Sequence, residues 1–520
     1  VSALVFSTNG QTLHVGRMDG SVEKIDLRLD KLSYSLAKTI AKTKSVELTK
    51  KEPVELTEKE PNNLPTEATP ITLPAIVTGI IHGKKGIDSD LFRFKAMAGE
   101  EWVLETNAAQ SKSPIDTKIE VLDTNGIPIE RVRLKAIRES WLTFRGKDSS
   151  TSNDFRLFKW DEMKLNQLLY INGEVVKLWL YPRGPDSGYI VYPGSGNRHG
   201  YFDTTPLAHP LGQPAYIVEP LASGEPVIAN GLPTFPIYYQ NDDESQRRLG
   251  RDSKLTFTTP ADGEYLAKVS DIRGFQGSDF KYMFTIRERQ PDFKVSINGF
   301  SDGIPRGSGR EFSFRVERKD NFNGPIQLDI SKPHTGFHIS TPIIIEEEQQ
   351  RAFGSIHADA DAAMPENDFV TVTATATIRG KEIVREIDKL TNIKPLGKPK
   401  LLVQVTSNIS GAVETGTFTE PLEFKIAPGE TISARVKVER NGFNGRIQLG
   451  SHDAGRNLPH GVYVDNIGLS GLLIVEGQTE REFFITADSW VPESRTHFHI
   501  KASAEKGIVS NPLIIQVRKN

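Results

Sequence analysis

No cysteine occurs among the 520 residues. Disulfides, thiolate metal sites and cysteine nucleophiles are thereby excluded, while the compartment is left open. Long apolar runs are missing as well. No window of about 18 apolar residues exists, so no transmembrane helix is expected. Charge of one sign is also lacking. With 64 Lys and Arg against 67 Asp and Glu the formal net charge is -3, which gives no electrostatic reason to expect nucleic acid as a partner. Helical periodicity is scarce. In its place stand 43 Gly and 31 Pro, punctuating alternating segments such as Lys118-Ile119-Glu120-Val121-Leu122 and Thr371-Val372-Thr373-Ala374-Thr375. That pattern predicts an all-β protein of sandwiches or barrels. The length predicts several domains.

Residues 1–30 read as strand, turn, strand, turn, strand: Ala3-Leu4-Val5-Phe6, Thr12-Leu13-His14-Val15-Gly16 and Val22-Glu23-Lys24-Ile25-Asp26, separated by Asn9-Gly10 and Asp19-Gly20. This resembles one blade of a WD-repeat propeller, without its Trp-Asp ending. A single blade cannot bury its own faces, so neighbouring blades are expected upstream. The chain starts on Val1 in what reads as a strand, and the expectation is a piece of a longer protein. Residues 31–56 are rich in Lys, Glu, Thr and Ser and read as a linker, with a short helix over 31–42.

From 57 to 290 a series of motifs follows in fixed order. They are Glu60-Pro61-Asn62-Asn63, Asp90-Leu91-Phe92-Arg93-Phe94, Ala98-Gly99-Glu100, Ser113-Pro114-Ile115-Asp116, Asp123-Thr124-Asn125-Gly126, Asp252-Ser253-Lys254-Leu255 and Ala261-Asp262-Gly263-Glu264-Tyr265. As an ordered set they resemble the bacterial pre-peptidase C-terminal domain. The resemblance implies a jelly-roll-like β-sandwich beside a catalytic domain, in a protein exported to the periplasm or the extracellular space. One departure is large. The Asp-x-Asn-Gly turn at 123–126 and the Asn241-Asp242-Asp243 run stand close together in ordinary members. Here an aromatic insert over 128–240 separates them, and it reads as a small β subdomain.

Calcium takes six to eight oxygen ligands from carboxylates, amides and carbonyls. Glu58, Glu60 and Asn62 alternate, so in an extended segment they face one way, and Asp88 and Asp90 likewise share a face. Modules resembling this one in bacterial collagenases bind calcium through the same linker motif and a following aspartate turn. The resemblance therefore implies a Ca²⁺ role for Glu58, Glu60, Asn62, Asp88 and Asp90. An alternative reading leaves the first three as the start of a strand and the aspartates as turn caps.

The insert holds most of the chain's 12 tyrosines. Exposed rings with a polar handle stack on sugars or peptide side chains, which makes Trp141, Trp160, Tyr189, Tyr192 and Tyr201 candidate ligand contacts. The same rings would also supply the bulk of a small core. Ser195 lies between glycines near His199 and His209, but Gly-x-Ser-x-Gly is absent and no strand-to-helix turn follows. His497 and His499 share a strand face without a third ligand nearby.

After 290 the chain repeats itself. Val316-Glu317-Arg318 through Phe322-Asn323-Gly324-Pro325-Ile326-Gln327-Leu328 matches Val438-Glu439-Arg440 through Phe443-Asn444-Gly445-Arg446-Ile447-Gln448-Leu449. The spacing suits one immunoglobulin-like sandwich per copy, over 291–395 and 396–520. The Asn-Gly pairs predict hairpin turns of positive φ, with each Phe plugging its core. Taken together, these readings predict a non-catalytic accessory region that presents or tethers domains and binds a surface polymer or a protein partner. The alternative is a C-terminal appendage of a secreted peptidase or redox enzyme whose catalytic domain lies upstream.

Overall fold

The structure is a computed structural model. It describes residues 52–83, 86–148, 154–183, 187–222, 224–408, 416–417, 420–451, 453–465, 467–468 and 470–519, with the backbone of three earlier strands. Those strands, Ala3–Phe6, Thr12–Gly16 and Val22–Asp26, form an antiparallel meander. The turns between them and the helix expected over 31–42 lie outside the described residues. Residues 1–52 and 53–520 are two separate compact units. Among the described residues there is no α-helix, only short 3₁₀ turns, so the chain is all-β.

Two five-stranded sheets open the second unit. One runs Gln240–Asn241, Thr117–Leu122, Gly263–Asp271, Asp90–Ala96, Thr69–Pro70. The other runs Lys254–Thr258, Glu101–Asn107, Lys281–Glu288, Ala75–Ile80, Val54–Thr57. Period-two alternation turns Phe92, Phe94, Phe257 and Phe284 inward between them, all buried. The Asp123 turn closes as its residues dictate. The Asp123 carboxylate accepts the Asn125 and Ile127 amides at 2.9 and 2.8 Å, and Gly126 takes φ 84°.

Between that turn and Gln240 lies a seven-stranded sheet with a core of its own. Its long strand Glu130–Trp141 pairs with both Pro214–Pro220 and Thr234–Tyr238. Inside sits a fully buried Arg198. Its guanidinium pairs with Glu174 and donates to the Asp148 and Leu207 carbonyls, while His209 Nε2 lies 2.7 Å from Glu174 Oε2.

Two further sandwich cores follow, over 293–393 and 401–517. Their sheets are joined edge to edge: Ile508–Val509 pairs antiparallel with Ser308–Lys319 through Gly309 and Arg310. The repeated Arg has a structural reason. Arg318 donates to the carbonyls of Phe322, Gly324, Glu346 and Gln349. Arg440 makes the equivalent set to Phe443, Gly445, Val475 and Gln478. One guanidinium thus pins a turn and the loop facing it. Phe322 is buried and Phe443 packs against its core from a half-buried position. The Asn-Gly expectation holds at one pair and needs correction at two. Gly442 of Asn441-Gly442 takes φ 97°, whereas Asn323-Gly324 and Asn444-Gly445 are not left-handed, and in the first copy Asp320 and Asn321 take that conformation instead. At the two latter pairs the Arg clamp holds the Gly carbonyl, so they have no need of positive φ. Arg318→Ala is expected to cost about 3 kcal/mol, since four carbonyls lose a buried ionic donor. Half-exposed Arg440→Ala should cost about 1 kcal/mol, because water replaces the donor. Urea midpoints of the two variants check the ranking.

Candidate functional site

The strand Val54–Thr57 ends one residue before Glu58, so the segment 58–62 is loop rather than extended strand. It nevertheless lies along residues 88–91. The Leu91 amide donates to Asn62 O at 3.1 Å, and the Ser89 amide to Asn63 Oδ1 at 2.8 Å. This brings carboxylate oxygens of Glu58, Glu60 and Asp90 within 4.8 Å of one another.

Three of the carboxylates are held from behind, while Glu60 is exposed. Glu58 Oε1 accepts the Ile80 amide at 2.7 Å, Asp88 Oδ2 accepts the His82 amide at 2.5 Å, and Asp90 Oδ2 accepts the Tyr282 hydroxyl. Gly79 is obligatory beneath them. A Cβ there would stand 2.3 Å from the Tyr282 hydroxyl oxygen and 2.6 Å from Glu58 Oε2. What remains is a set of unanswered polar atoms. Asn62 is fully buried, yet neither amide atom has a partner among the described residues, and the same holds for Asp88 Oδ1 and Asp90 Oδ1. Buried polar atoms without partners are costly and rare in native proteins. Electrostatics point the same way. Burial, then Glu58, pushes the Asp90 carboxyl up to about 9. Burial, then Asp88 and Glu58, raises Glu60. Among the described residues no cation is paired with these carboxylates. An oxygen-rich, anionic, desolvated cluster fits a hard divalent cation.

A second acidic cluster, Asp116 with Asp242 and Asp243, was visible in sequence only as the acidic run that follows the insert. Burial, then Asp243, pushes Asp242 up to about 7. Here the charge is partly answered, because Arg247 pairs with Asp243 at 2.6 Å and Arg273 stands 3.8 Å from Asp116.

The aromatic candidates divide. Trp141 is exposed and stacks on Phe158 at 3.8 Å. Trp160 is half-buried in a 3₁₀ turn. Tyr189 is fully buried and its hydroxyl donates to the carbonyls of Trp160 and Met163. Tyr192 is buried as well, bonded to Asn166 and His460. Tyr201 packs edge-on against Tyr192 at 6.2 Å. Tyr189 and Tyr192 are therefore closed to an outside ligand. Tyr189 fills the insert core, and Tyr192 belongs to a seam that the sequence did not reveal.

That seam joins the insert to both repeats. Trp179 donates to Gln349 Oε1 at 2.8 Å, Lys177 pairs with Glu348, Asn166 meets His460 at 2.9 Å, and the Tyr181 ring lies 5.7 Å from that of Tyr463. Burial pushes His460 down to about 4, so it is neutral at pH 7. Three other histidines are likewise engaged, whereas His497 Nδ1 is buried without a partner among the described residues. His199 meets Gln350, His209 meets Glu174 and His499 meets Glu311. Neither His199 nor His209 shares a hydrogen bond with Ser195 among the described residues.

No protein-family model matches the chain, and no curated protein matches it either. Solved structures do. The fibronectin(III)-like modules of Clostridium thermocellum CbhA are 12% identical, covering 44% of this chain and 94% of theirs at a TM-score of 0.13. Domains 5–6 of the S-layer protein SbsC are 12% identical over 44% of this chain and 100% of theirs, at 0.16. The D00-D0 domain of intimin is 14% identical over 43% and 99%, at 0.15.

Proposed function

We propose that this chain is a non-catalytic accessory region of a large exported bacterial protein. It presents neighbouring domains and binds a surface polymer, and a calcium ion locks its first sandwich. The reading is supported by one observation above the rest: the buried, unpartnered oxygens of Asn62, Asp88 and Asp90 beside Glu58 and Glu60. The ordered motifs that resemble the pre-peptidase C-terminal domain run through the same residues. A cation here would be held by loop 58–62 and loop 88–90 together, and would tie the entry segment to the sandwich it precedes. Its chemistry would be charge neutralisation, with no bond made or broken.

Titration calorimetry on chelator-treated protein tests this. One calcium-binding event is expected in the native chain, and at least a tenfold loss of affinity in Asp90→Asn and Asn62→Ala. No heat at millimolar calcium, or equal affinity in both variants, overturns the site.

A further inference from the structure

A cleft of about 300 Å³ opens where the first sandwich, the insert and the first repeat meet. That volume suits a small ligand. Each of the three parts contributes walls: Glu101 and Arg289 from the sandwich, Arg131, Tyr201 and Asp203 from the insert, Asn323 and Glu348 from the repeat.

Three features of this cleft bear on its ligand. Its fixed charges cancel. Arg131 pairs with Asp203 at 2.6 Å, Arg289 with Glu101 at 2.8 Å, Glu348 with Lys177, and Arg318 is spent on backbone carbonyls. Burial holds His199 neutral. An ion gains nothing here, whereas paired charges are rigid donors and acceptors for neutral hydroxyls. Next, the walls carry strain. Phe202, Asp203, Asn321 and Glu348 line the cleft at φ 57°, 54°, 54° and 61°. Such backbone is unfavourable for side chains with a Cβ, and it gathers where a site must be shaped. Finally, two side-chain amides are uncommitted. Gln246 and Asn323 line the cleft, and neither side chain makes a hydrogen bond among the described residues. Half-buried Tyr201 and Phe202 complete the lining, the Tyr201 ring being packed also by Tyr192 and Lys177.

We infer that this three-way cleft binds a neutral sugar unit of one or two rings, using Gln246, Asn323 and the paired Arg–carboxylate walls as hydroxyl partners. Neutral hydroxylated rings need donors and acceptors in balance together with an apolar ring face, and this cleft offers both. The inference rests on the surface-polymer reading and gives that polymer a site and a chemical class.

Affinity electrophoresis of the whole chain in gels containing dextran, mannan, xyloglucan or polyuronate tests it, with Asn323→Trp to block the mouth and Gln246→Ala to remove one amide. Asn323 is exposed and Gln246 half-buried without a side-chain hydrogen bond, so the fold should survive, and circular dichroism checks that it does. Retardation by at least one neutral polysaccharide is expected. Asn323→Trp should weaken it at least tenfold and Gln246→Ala about fivefold, with Trp141→Ala unchanged. Retardation by polyuronate alone, or retardation that survives Asn323→Trp, overturns the cleft while leaving polymer binding in place. Loss in Trp141→Ala but not in Asn323→Trp moves the polymer to the exposed Trp141–Phe158 pair and also overturns it. No retardation in any gel overturns the cleft and the polymer reading together, and leaves the calcium site to its own titration.

Discussion

Chelating divalent cations is expected to lower the melting temperature of the first sandwich by roughly 5–10 °C. A ligand at a hundredfold excess over its Kd stabilises the native state by about 2.7 kcal/mol. For a domain of about 200 residues, each kcal/mol is worth about 2–4 °C. The effect should depend on pH with a definite sign. Asp90 titrates near its ordinary value of 3.8 in the unfolded chain and near 9 when folded without metal. Between those values the native state holds a proton that the unfolded state has lost. Stability of the metal-free chain therefore falls as pH rises through that window. Calcium binds the ionised carboxylate, so its stabilisation grows with pH over the same range. Asp90→Asn should abolish both trends at once, leaving a chain that is insensitive to chelator and less sensitive to pH. Calorimetric scans at pH 5, 7 and 8.5, with EDTA and with calcium, give the comparison. A pH-independent calcium shift would overturn the role of Asp90.

Arg198→Met should be the most damaging single substitution in the insert, costing about 3–5 kcal/mol. Burial alone would raise the Glu174 carboxyl, yet His209 and Arg198 hold it below the usual range. Removing the guanidinium leaves a buried carboxylate and strips the carbonyls of Asp148 and Leu207 of their donor. His209 can answer only part of that charge. The double variant Arg198→Met with Glu174→Gln should recover stability, because no buried ion then remains unpaired. Limited proteolysis within 130–238 and urea unfolding report the difference. A double variant no more stable than Arg198→Met would mean that lost packing, not lost charge, dominates.

Local pattern made much of this legible. Alternation placed Phe92 and Phe94 inside, and the Asp123-Thr124-Asn125-Gly126 turn is formed by those residues' own side chains. The oxygen cluster was legible because its halves are short motifs with their carboxylates nearly adjacent in sequence. The insert seam was not. Asn166 and His460 are 294 residues apart, and nothing in an alternating Trp179-Leu180-Tyr181 strand says which face meets a distant domain. The rings at 189 and 192 posed the same difficulty, since burial by a neighbouring module and availability to a ligand look alike in sequence. The repeated Arg was visible as a repeat, but its role as a carbonyl clamp was not, because its acceptors are backbone atoms that carry no residue signature.

Tandem β-sandwiches joined by plain linkers stretch one after another under load, like beads on a cord. The pairing of Ile508–Val509 with Ser308–Lys319, together with the insert fastened to both repeats, changes that mechanics. Tension applied between residues 53 and 519 is shared among several attachments in parallel, and elongation begins only after backbone ladders across the junction shear. Residues 53–519 should therefore resist extension more than sandwiches joined by plain linkers do.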